Sequence, residues 1–211
     1  MKLIDLENKY KTISELVYKR LELSGHPNYI KRYKHSVSVA EKAFHLANVH
    51  YKDESLAEKA YLAGLIHDYC KYEKAENYCD VIKKNNLNII YNDQVKSVYH
   101  GMLAPYFIKK ELNITDVEIL SAIEWHVTGK ENMSPLEKII YVSDYVEDLR
   151  EGETYAISRK IAEVNLDACV AYNSRSILQY LLEKKYAIFS SSIATYNYYI
   201  KYFDDYESKY I

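Results

Sequence analysis

Glycine and proline are scarce in this chain of 211 residues, with 5 and 3 copies respectively. Because both residues mark turns, this scarcity argues against a sheet of many short strands and favours long helices. Cysteine is also rare. The three copies are an odd number without CxxC or CxxH spacing, which argues against a disulfide framework or a zinc ribbon and favours a reducing compartment.

Long apolar segments and a surplus of basic charge are missing as well. No uninterrupted apolar stretch approaches the roughly 20 residues that cross a bilayer, and the N-terminal stretch MKLIDLENKYKTISELVYKR lacks the apolar region of a signal peptide. We therefore expect a cytoplasmic protein with no membrane partner. The formal net charge of −2 gives no basic footprint, so nucleic acid is not an expected partner. Whether the chain is a monomer or a homodimer stays open.

Apolar residues recur at three- and four-residue spacing along most of the chain, which is typical of amphipathic helices. We expect one all-α domain, a helical bundle. A short strand at 87–91 is conceivable, but no partner strand supports it. The helices are predicted at 3–24, 28–50, 55–67, 74–86, 98–112, 116–127, 135–149, 155–185 and 191–207.

Three of these helix starts carry capping signals. The stretches SLAE, beginning at Ser55, and TDVE, beginning at Thr115, fit the capping box. The stretch SPLE, beginning at Ser134, adds proline at the first helical position. This last signal predicts where the helix that carries Asp144 begins.

The stretch LAGLIHDYCKY is unusual because an apolar helical run leads directly into His67 and Asp68. Asp144 likewise interrupts the apolar stretch KIIYVSDYVEDL, where an unpaired buried carboxylate would cost on the order of several kcal/mol. Taken singly, such residues are more often hydrogen-bonded core residues or helix caps. In chain order, six metal-competent residues stand near the end or inward face of predicted helices: His35, His67, Asp68, His100, His126 and Asp144.

A helical bundle can build an internal metal site from side chains on facing helices. Imidazole and carboxylate ligands without sulfur suit Fe, Mn, Co or Zn. The set of six therefore indicates a metal site, although an ion pair with Lys138 or Arg150 would also explain Asp144. His45 and His50 lie farther along the helix of His35 and are predicted to be surface or packing residues.

Five ordered stretches carry a family resemblance: RYKHSVSVAEKA, AGLIHDYCK, HGMLA, AIEWHVTGKENMSPLEKIIYVSDYVEDLR and LLEKKYAIFSSSIATYN. Together they resemble the HD-domain superfamily of metal-dependent phosphohydrolases, and WHVTGKENMS and SDYVEDLR narrow the likeness to the YqeK-type symmetrical diadenosine tetraphosphate hydrolases. An HD dipeptide alone would carry almost no information. Ser143 and Asp148 depart from the family pattern, which usually has alanine and proline there.

The resemblance covers about 30–200 and implies an HD-domain phosphohydrolase at 27–211, with an N-terminal helix in 1–26 packing on its core. It also implies two divalent transition-metal ions between the helices, with iron expected and manganese, cobalt or zinc as alternatives. In this arrangement Asp68 bridges the two ions. The first ion is held by His35, His67, Asp68 and Asp144, and the second by Asp68, His100 and His126.

The implied activity is the hydrolysis of diadenosine tetraphosphate to two ADP by a metal-activated water. Two alternatives stay open: another HD-type nucleotide phosphohydrolase or phosphodiesterase, and a non-catalytic, metal-containing nucleotide-binding protein. The small-molecule partner is in each case a dinucleoside polyphosphate or a nucleotide.

The catalytic candidates are Asp68 together with the cations Lys71 and Arg150, which could neutralise charge on the phosphates. The alternative for each cation is a solvated charge on a helix face. The resemblance also suggests contacts from loop and backbone positions. The predicted substrate-binding residues are Arg32, His35, Gly101, Met102, Leu103, Thr128, Gly129 and Arg150.

Overall fold

The computed structural model describes residues 2–203. This part of the chain contains twelve α-helices, two short 3₁₀ turns and no strand, so the all-α prediction is confirmed. Part of the last predicted helix, 204–207, and the end of the domain expected at 27–211 lie outside the described residues. The helices are α1 Leu3–Lys9, α2 Lys11–Leu23, α3 Tyr29–His50, α4 Glu54–Ile66, α5 Ala75–Lys84, α6 Lys96–Met102, α7 Ala104–Leu112, α8 Val117–Trp125, α9 Pro135–Val146, α10 Glu153–Val164, α11 Leu166–Glu183 and α12 Ser190–Tyr199.

Three of the predicted long helices are each two helices in the structure, with breaks at Tyr10, Leu103 and Asn165. The second break precedes Pro105, which has no backbone N–H to continue the helix of α6. At the third break Asn165 is extended, with φ −153° and ψ 113°, and its side chain accepts a hydrogen bond from Ala168 N. An apolar pattern that continues through a break cannot reveal it.

The possible strand at 87–91 is wrong. The segment instead runs beside α6, where the hydroxyl of Tyr99 donates to the carbonyl oxygen of Ile90 at 3.2 Å and accepts from Asn92 N at 3.0 Å. The buried Tyr99 side chain therefore makes hydrogen bonds to backbone groups that would otherwise need a neighbouring strand.

Only one of the three predicted capping boxes is present. The Ser134 hydroxyl accepts from Glu137 N, and the Glu137 carboxylate accepts from Ser134 N, so the start of α9 is confirmed. The SLAE and TDVE boxes are wrong, because Asp53 and Asp116 cap α4 and α8. In both cases a neighbouring aspartate, two residues before Ser55 or one residue after Thr115, already bonds the free backbone N–H groups.

The helices α3 and α4 pack closely, and this contact places His35 beside His67. A Cβ atom at Gly64 would lie 2.8 Å from the Cα of Ala40 and 3.0 Å from the carbonyl oxygen of Val39. Only glycine permits this approach of the two backbones. It brings His35 on α3 beside His67 at the end of α4, with ring centroids 5.2 Å apart.

The N-terminal helices share the core of the rest of the chain, since Leu6, Val17 and Leu21 are buried in the same hydrophobic cluster as α3, α4 and α9. The division of the chain at residue 27 stays a prediction. Within residues 2–203, no helix combines the length and the apolar character that a membrane crossing requires.

Candidate metal centre

The six metal-competent residues named from the sequence come together between five helices. Five of them are buried, and Asp144 has a side chain that is 25% exposed. They are His35 in α3, His67 and Asp68 directly after α4, His100 in α6, His126 directly after α8, and Asp144 in α9.

Asp68 lies between two groups of histidines. Its Oδ2 atom faces His67 Nε2 at 3.3 Å and His35 Nε2 at 3.7 Å. Its Oδ1 atom faces His100 Nε2 at 3.0 Å and His126 Nε2 at 3.8 Å. Each carboxylate oxygen therefore has its own pair of imidazoles, which is the arrangement of a bridging ligand.

Asp144 completes the group on the Oδ2 side. Its Oδ1 atom lies 3.0 Å from His35 Nε2 and 3.8 Å from His67 Nε2. Potential ligand atoms of these three residues all lie within 4.8 Å of one another, and the same holds for His67, Asp68 and His126. Either group could hold a divalent metal ion.

Hydrogen bonds at helix ends select the tautomer of two of the histidines. His67 Nδ1 donates to the carbonyl oxygen of Gly64 at 2.6 Å, and His126 Nδ1 donates to that of Ile123 at 2.6 Å. Each acceptor is three residues earlier, at the end of the preceding helix. With Nδ1 carrying the proton, the Nε2 lone pair points into the cluster and can bind a cation.

The polar atoms that point into the cluster show whether these residues fit a metal ion. Within residues 2–203, the buried atom His67 Nε2 has no hydrogen-bond partner, while His35 Nε2 faces Asp144 Oδ1 and Asp68 Oδ1 faces His100 Nε2, each at 3.0 Å inside the cluster. A buried polar atom without a partner costs roughly 1–3 kcal/mol, and coordination of a cation would remove that cost. All of these atoms point into one cluster that contains no sulfur, as expected for a borderline transition metal.

The electrostatics of the cluster keep two imidazoles neutral. Burial, together with the neighbouring His100 and His67, lowers the pKa of His126 to about 3. Burial and the ammonium of Lys71 lower the pKa of His100. Both rings can therefore bind a cation at neutral pH without first losing a proton.

The two aspartates are ionised despite their surroundings. Burial alone raises the pKa of Asp68, but Lys71 and His67 outweigh burial and hold this pKa well below its usual range. Burial also raises the pKa of Asp144, and the hydrogen bond from His35 and the charge of Arg150 hold it well below that range. The cluster therefore offers two carboxylates to a cation.

All three cations nominated from the sequence reach the cluster. Arg32 Nη1 lies 2.7 Å from Asp68 Oδ2. Lys71 Nζ lies 3.0 Å from His100 Nε2 and 3.4 Å from Asp68 Oδ1. Arg150 Nη2 donates to Asp144 Oδ1 at 3.0 Å. Their part in binding a substrate stays a prediction.

The other substrate-binding candidates pack within the fold near the cluster. A Cβ at Gly101 would lie 3.0 Å from His126 Cε1, so this glycine lets α6 pack against the imidazole. Leu103 is buried in the core with Met102 packed beside it. The Thr128 hydroxyl donates to the carbonyl oxygen of Gly129 at 3.0 Å. None of these five lines either cavity described below, and their contact with substrate stays a prediction.

Glu147 is a residue of the site that the sequence reasoning missed. It is buried, its Oε1 atom lies 3.1 Å from His35 Nδ1, and its Oε2 atom accepts from Leu149 N at 2.7 Å. It follows Asp144 by three residues, one helical turn, and this spacing could have revealed it. The departure at Asp148 lies outside the cluster, where its exposed carboxylate pairs with Lys42 at 2.9 Å.

Two cavities border the cluster and share Arg150 and Tyr155 in their walls. The larger, about 890 Å³, reaches His100, His126 and Asp144. The smaller, about 570 Å³, reaches Arg32, His35 and Glu147.

Comparison with known proteins identifies the family. Residues 32–149 match the family model of the HD domain. Proteins named "Bis(5'-nucleosyl)-tetraphosphatase, symmetrical" from Halalkalibacterium halodurans and Staphylococcus aureus are each 32% identical, over 79% and 80% of this chain and 87% of each relative. A crystal structure from Clostridium acetobutylicum, described as a "predicted HD superfamily hydrolase involved in NAD metabolism", is 32% identical with a TM-score of 0.78, covering 92% of this chain and 97% of that one. The chain therefore belongs to the HD domain family and, within it, to the family of the symmetrical bis(5′-nucleosyl)-tetraphosphatases.

Proposed function

We propose that this protein hydrolyses diadenosine tetraphosphate in the middle of its phosphate chain and releases two ADP. The observation that carries the proposal is the two-sided cluster around Asp68, in which each carboxylate oxygen faces its own pair of imidazoles. The names of the relatives from H. halodurans and S. aureus support the same activity.

The proposed cofactor is a pair of divalent transition-metal ions, with iron the first choice and manganese, cobalt or zinc the alternatives. Bound there, such ions would lower the pKa of a water molecule and polarise a phosphoryl oxygen. Asp68 would contribute one oxygen to each ion. The remaining ligands would be His35, His67 and Asp144 for one ion and His100 and His126 for the other.

The cations around the cluster would bind the phosphates. The substrate carries a negative charge on each phosphate, and this charge spreads over the equatorial oxygens in the transition state. Arg150 lies between the two cavities and presents a planar guanidinium that can bind two oxygens. Lys71 and Arg32 contact opposite oxygens of Asp68, so they can neutralise phosphate charge on the two sides of the cluster.

Product identity tests the proposal. Purified protein loaded with Fe²⁺, Mn²⁺, Co²⁺ or Zn²⁺ is incubated with diadenosine tetraphosphate, and the nucleotides are separated by anion-exchange chromatography. ADP as the only product is expected. ATP together with AMP would contradict symmetrical cleavage. Faster turnover of a nucleoside monophosphate or a cyclic dinucleotide would favour a different HD-type hydrolase, and binding without turnover would favour a nucleotide-binding protein.

Metal dependence is tested on the same protein. Chelation that removes the metal, verified by elemental analysis, should abolish hydrolysis, and adding back one metal at a time should identify the most active ion. Undiminished turnover by metal-free protein would contradict the proposed cofactor.

A further inference from the structure

We infer that the two halves of the substrate occupy two chemically different subsites, one in each cavity. The larger cavity binds a nucleobase, and the smaller cavity binds the other nucleoside diphosphate through its phosphates and sugar. This inference rests on the proposed function, because symmetrical cleavage at the cluster leaves one ADP on each side.

The boundary between the subsites is the pair Arg150 and Tyr155, which line both cavities. The Arg150 guanidinium lies over the Tyr155 ring at 5.6 Å from its centroid. Arg150 Nε also donates to the carbonyl oxygen of Asp144 at 2.8 Å. The arginine is therefore anchored beside the cluster, where a chain of phosphates passing from one cavity to the other would meet it.

The larger cavity has the walls of a base-binding site. Its volume of about 890 Å³ lies within the range of small-molecule sites. Aromatic rings can stack on a base, and the polar ends of Ser176 and Gln179 can bond to its edge. The aromatic lining residues are Tyr141, Tyr145, Tyr155, Tyr172 and Tyr180.

The smaller cavity has as many lining cations as the larger one, where they are Lys71, Arg150 and Arg175, but it has fewer tyrosine rings. Lys31, Arg32 and Arg150 contribute three positive charges to its wall, against the carboxylates of Glu147 and Glu151. The Glu147 carboxylate is already engaged by His35 and a backbone N–H. The wall is therefore suited to phosphate oxygens.

Stacking on a base is disfavoured in this smaller cavity. Besides Tyr155 at the boundary, its aromatic ring is Tyr72, and one face of that ring is covered by His26, with centroids 3.8 Å apart and planes 7° apart. Asn28 adds an amide that can bond to a sugar hydroxyl. This subsite should therefore accept different bases.

Lys31 offers the sharpest test of the smaller subsite. It is exposed on α3, and it makes no ion pair with any residue in 2–203 whose loss could disturb the fold. Lys34 is the matched control, because it is an exposed lysine one turn later on the same helix and lines neither cavity.

Tyr180 provides the test of the larger cavity, which it lines, and its side chain is 51% exposed. Its control is Leu182, which is 67% exposed and lines neither cavity.

The experiment is equilibrium dialysis of ADP against the metal-loaded protein. Wild type should bind two ADP per chain. Lys31→Glu should weaken one site at least tenfold and leave the other unchanged, and Tyr180→Ala should weaken only the other. Lys34→Glu and Leu182→Ala should bind like wild type. UDP should match ADP at the site that Lys31→Glu weakens and bind more weakly at the site that Tyr180→Ala weakens.

A single ADP site in wild type, or Lys31→Glu indistinguishable from Lys34→Glu, would overturn the inference. Neither result touches the proposed function, which depends on ADP being the product. Conversely, two ADP sites in a protein that leaves diadenosine tetraphosphate intact would refute that function while the subsites stand.

Discussion

The Nδ1 atom of His35 lies 3.1 Å from Oε1 of Glu147, so a buried carboxylate orients one histidine of the cluster. Burial lowers the pKa of His35, but its hydrogen bonds with Asp144 and Glu147 outweigh burial and raise it. A carboxylate bonded to the far nitrogen of a histidine holds the ring orientation and strengthens the near nitrogen as a metal ligand.

Removing this support should weaken metal binding. We expect Glu147→Ala to lower metal affinity about 10- to 100-fold, because the His35 ring loses its anchor. Competition with a chelator of known affinity, followed by elemental analysis, measures the effect without relying on turnover. Glu163→Ala is the control. The Glu163 carboxylate lies 2.9 Å from Nε2 of the exposed His45, and this pair is not part of the cluster. Equal metal affinity in the two folded variants would contradict the role of Glu147.

Substitution of a proposed ligand should reduce metal content and hydrolysis, whereas substitution of a histidine outside the cluster should not. His67→Ala should lose bound metal and at least about 10²-fold in hydrolysis, because it removes a buried nitrogen that points into the cluster. His45→Ala should keep both, since His45 is 49% exposed and bonds the exposed Glu163. Metal content and turnover are measured together with circular dichroism. A folded His45→Ala as inactive as His67→Ala would refute this division.

Arg150 should act on the polyphosphate rather than on the metal. Arg150→Ala should keep metal yet lower kcat/KM for diadenosine tetraphosphate by roughly 10²-fold, the scale of one lost electrostatic contact. Arg150→Lys should recover only part of this loss, because lysine supplies charge without the planar fork.

The comparison substrate for Arg150 is a singly charged aryl phosphodiester, which offers the guanidinium less to bind. Equal losses on both substrates would mean that Arg150 supports the site through its bond to Asp144. No loss on either would make it a solvated surface charge.

Glu137 should make folding depend on pH. Burial raises the pKa of Glu137, but Lys130 and Ser121 outweigh burial and lower it. Because the pKa of Glu137 is lower in the folded state, its charge stabilises the fold at pH values above the unfolded-state pKa of about 4.3. This stabilisation is lost as the pH falls through the folded-state pKa. Glu137→Gln should therefore reduce the free energy of unfolding by about 1–3 kcal/mol at pH 7, and the difference should shrink below about pH 4.

Urea unfolding at pH 7 and in acid measures this difference. Glu118→Gln is the control, because Glu118 is 63% exposed and its ion pair with Lys59 is a surface pair. A Glu137→Gln deficit that persists unchanged in acid would contradict the charge-based explanation.

Periodicity predicted the helices well but not their breaks. The pattern in 155–185 continues across Asn165, because α10 and α11 both present apolar residues to one core. The capping boxes failed where a neighbouring aspartate, two residues before Ser55 or one residue after Thr115, bonded the free backbone groups at the helix start. Local signals of this kind compete, and a sequence pattern does not say which one wins.

The sequence by itself determined the helical class and the ordered set of histidines and aspartates, because both are written in residue type and spacing. It also carried the family resemblance. Only the tertiary structure decided that Asp68 divides its oxygens between two pairs of imidazoles, that Glu147 supports His35, and that two unlike cavities meet at Arg150. Each of these relationships includes residues far apart in the chain, and their distances depend on how closely helices such as α3 and α4 pack at Gly64.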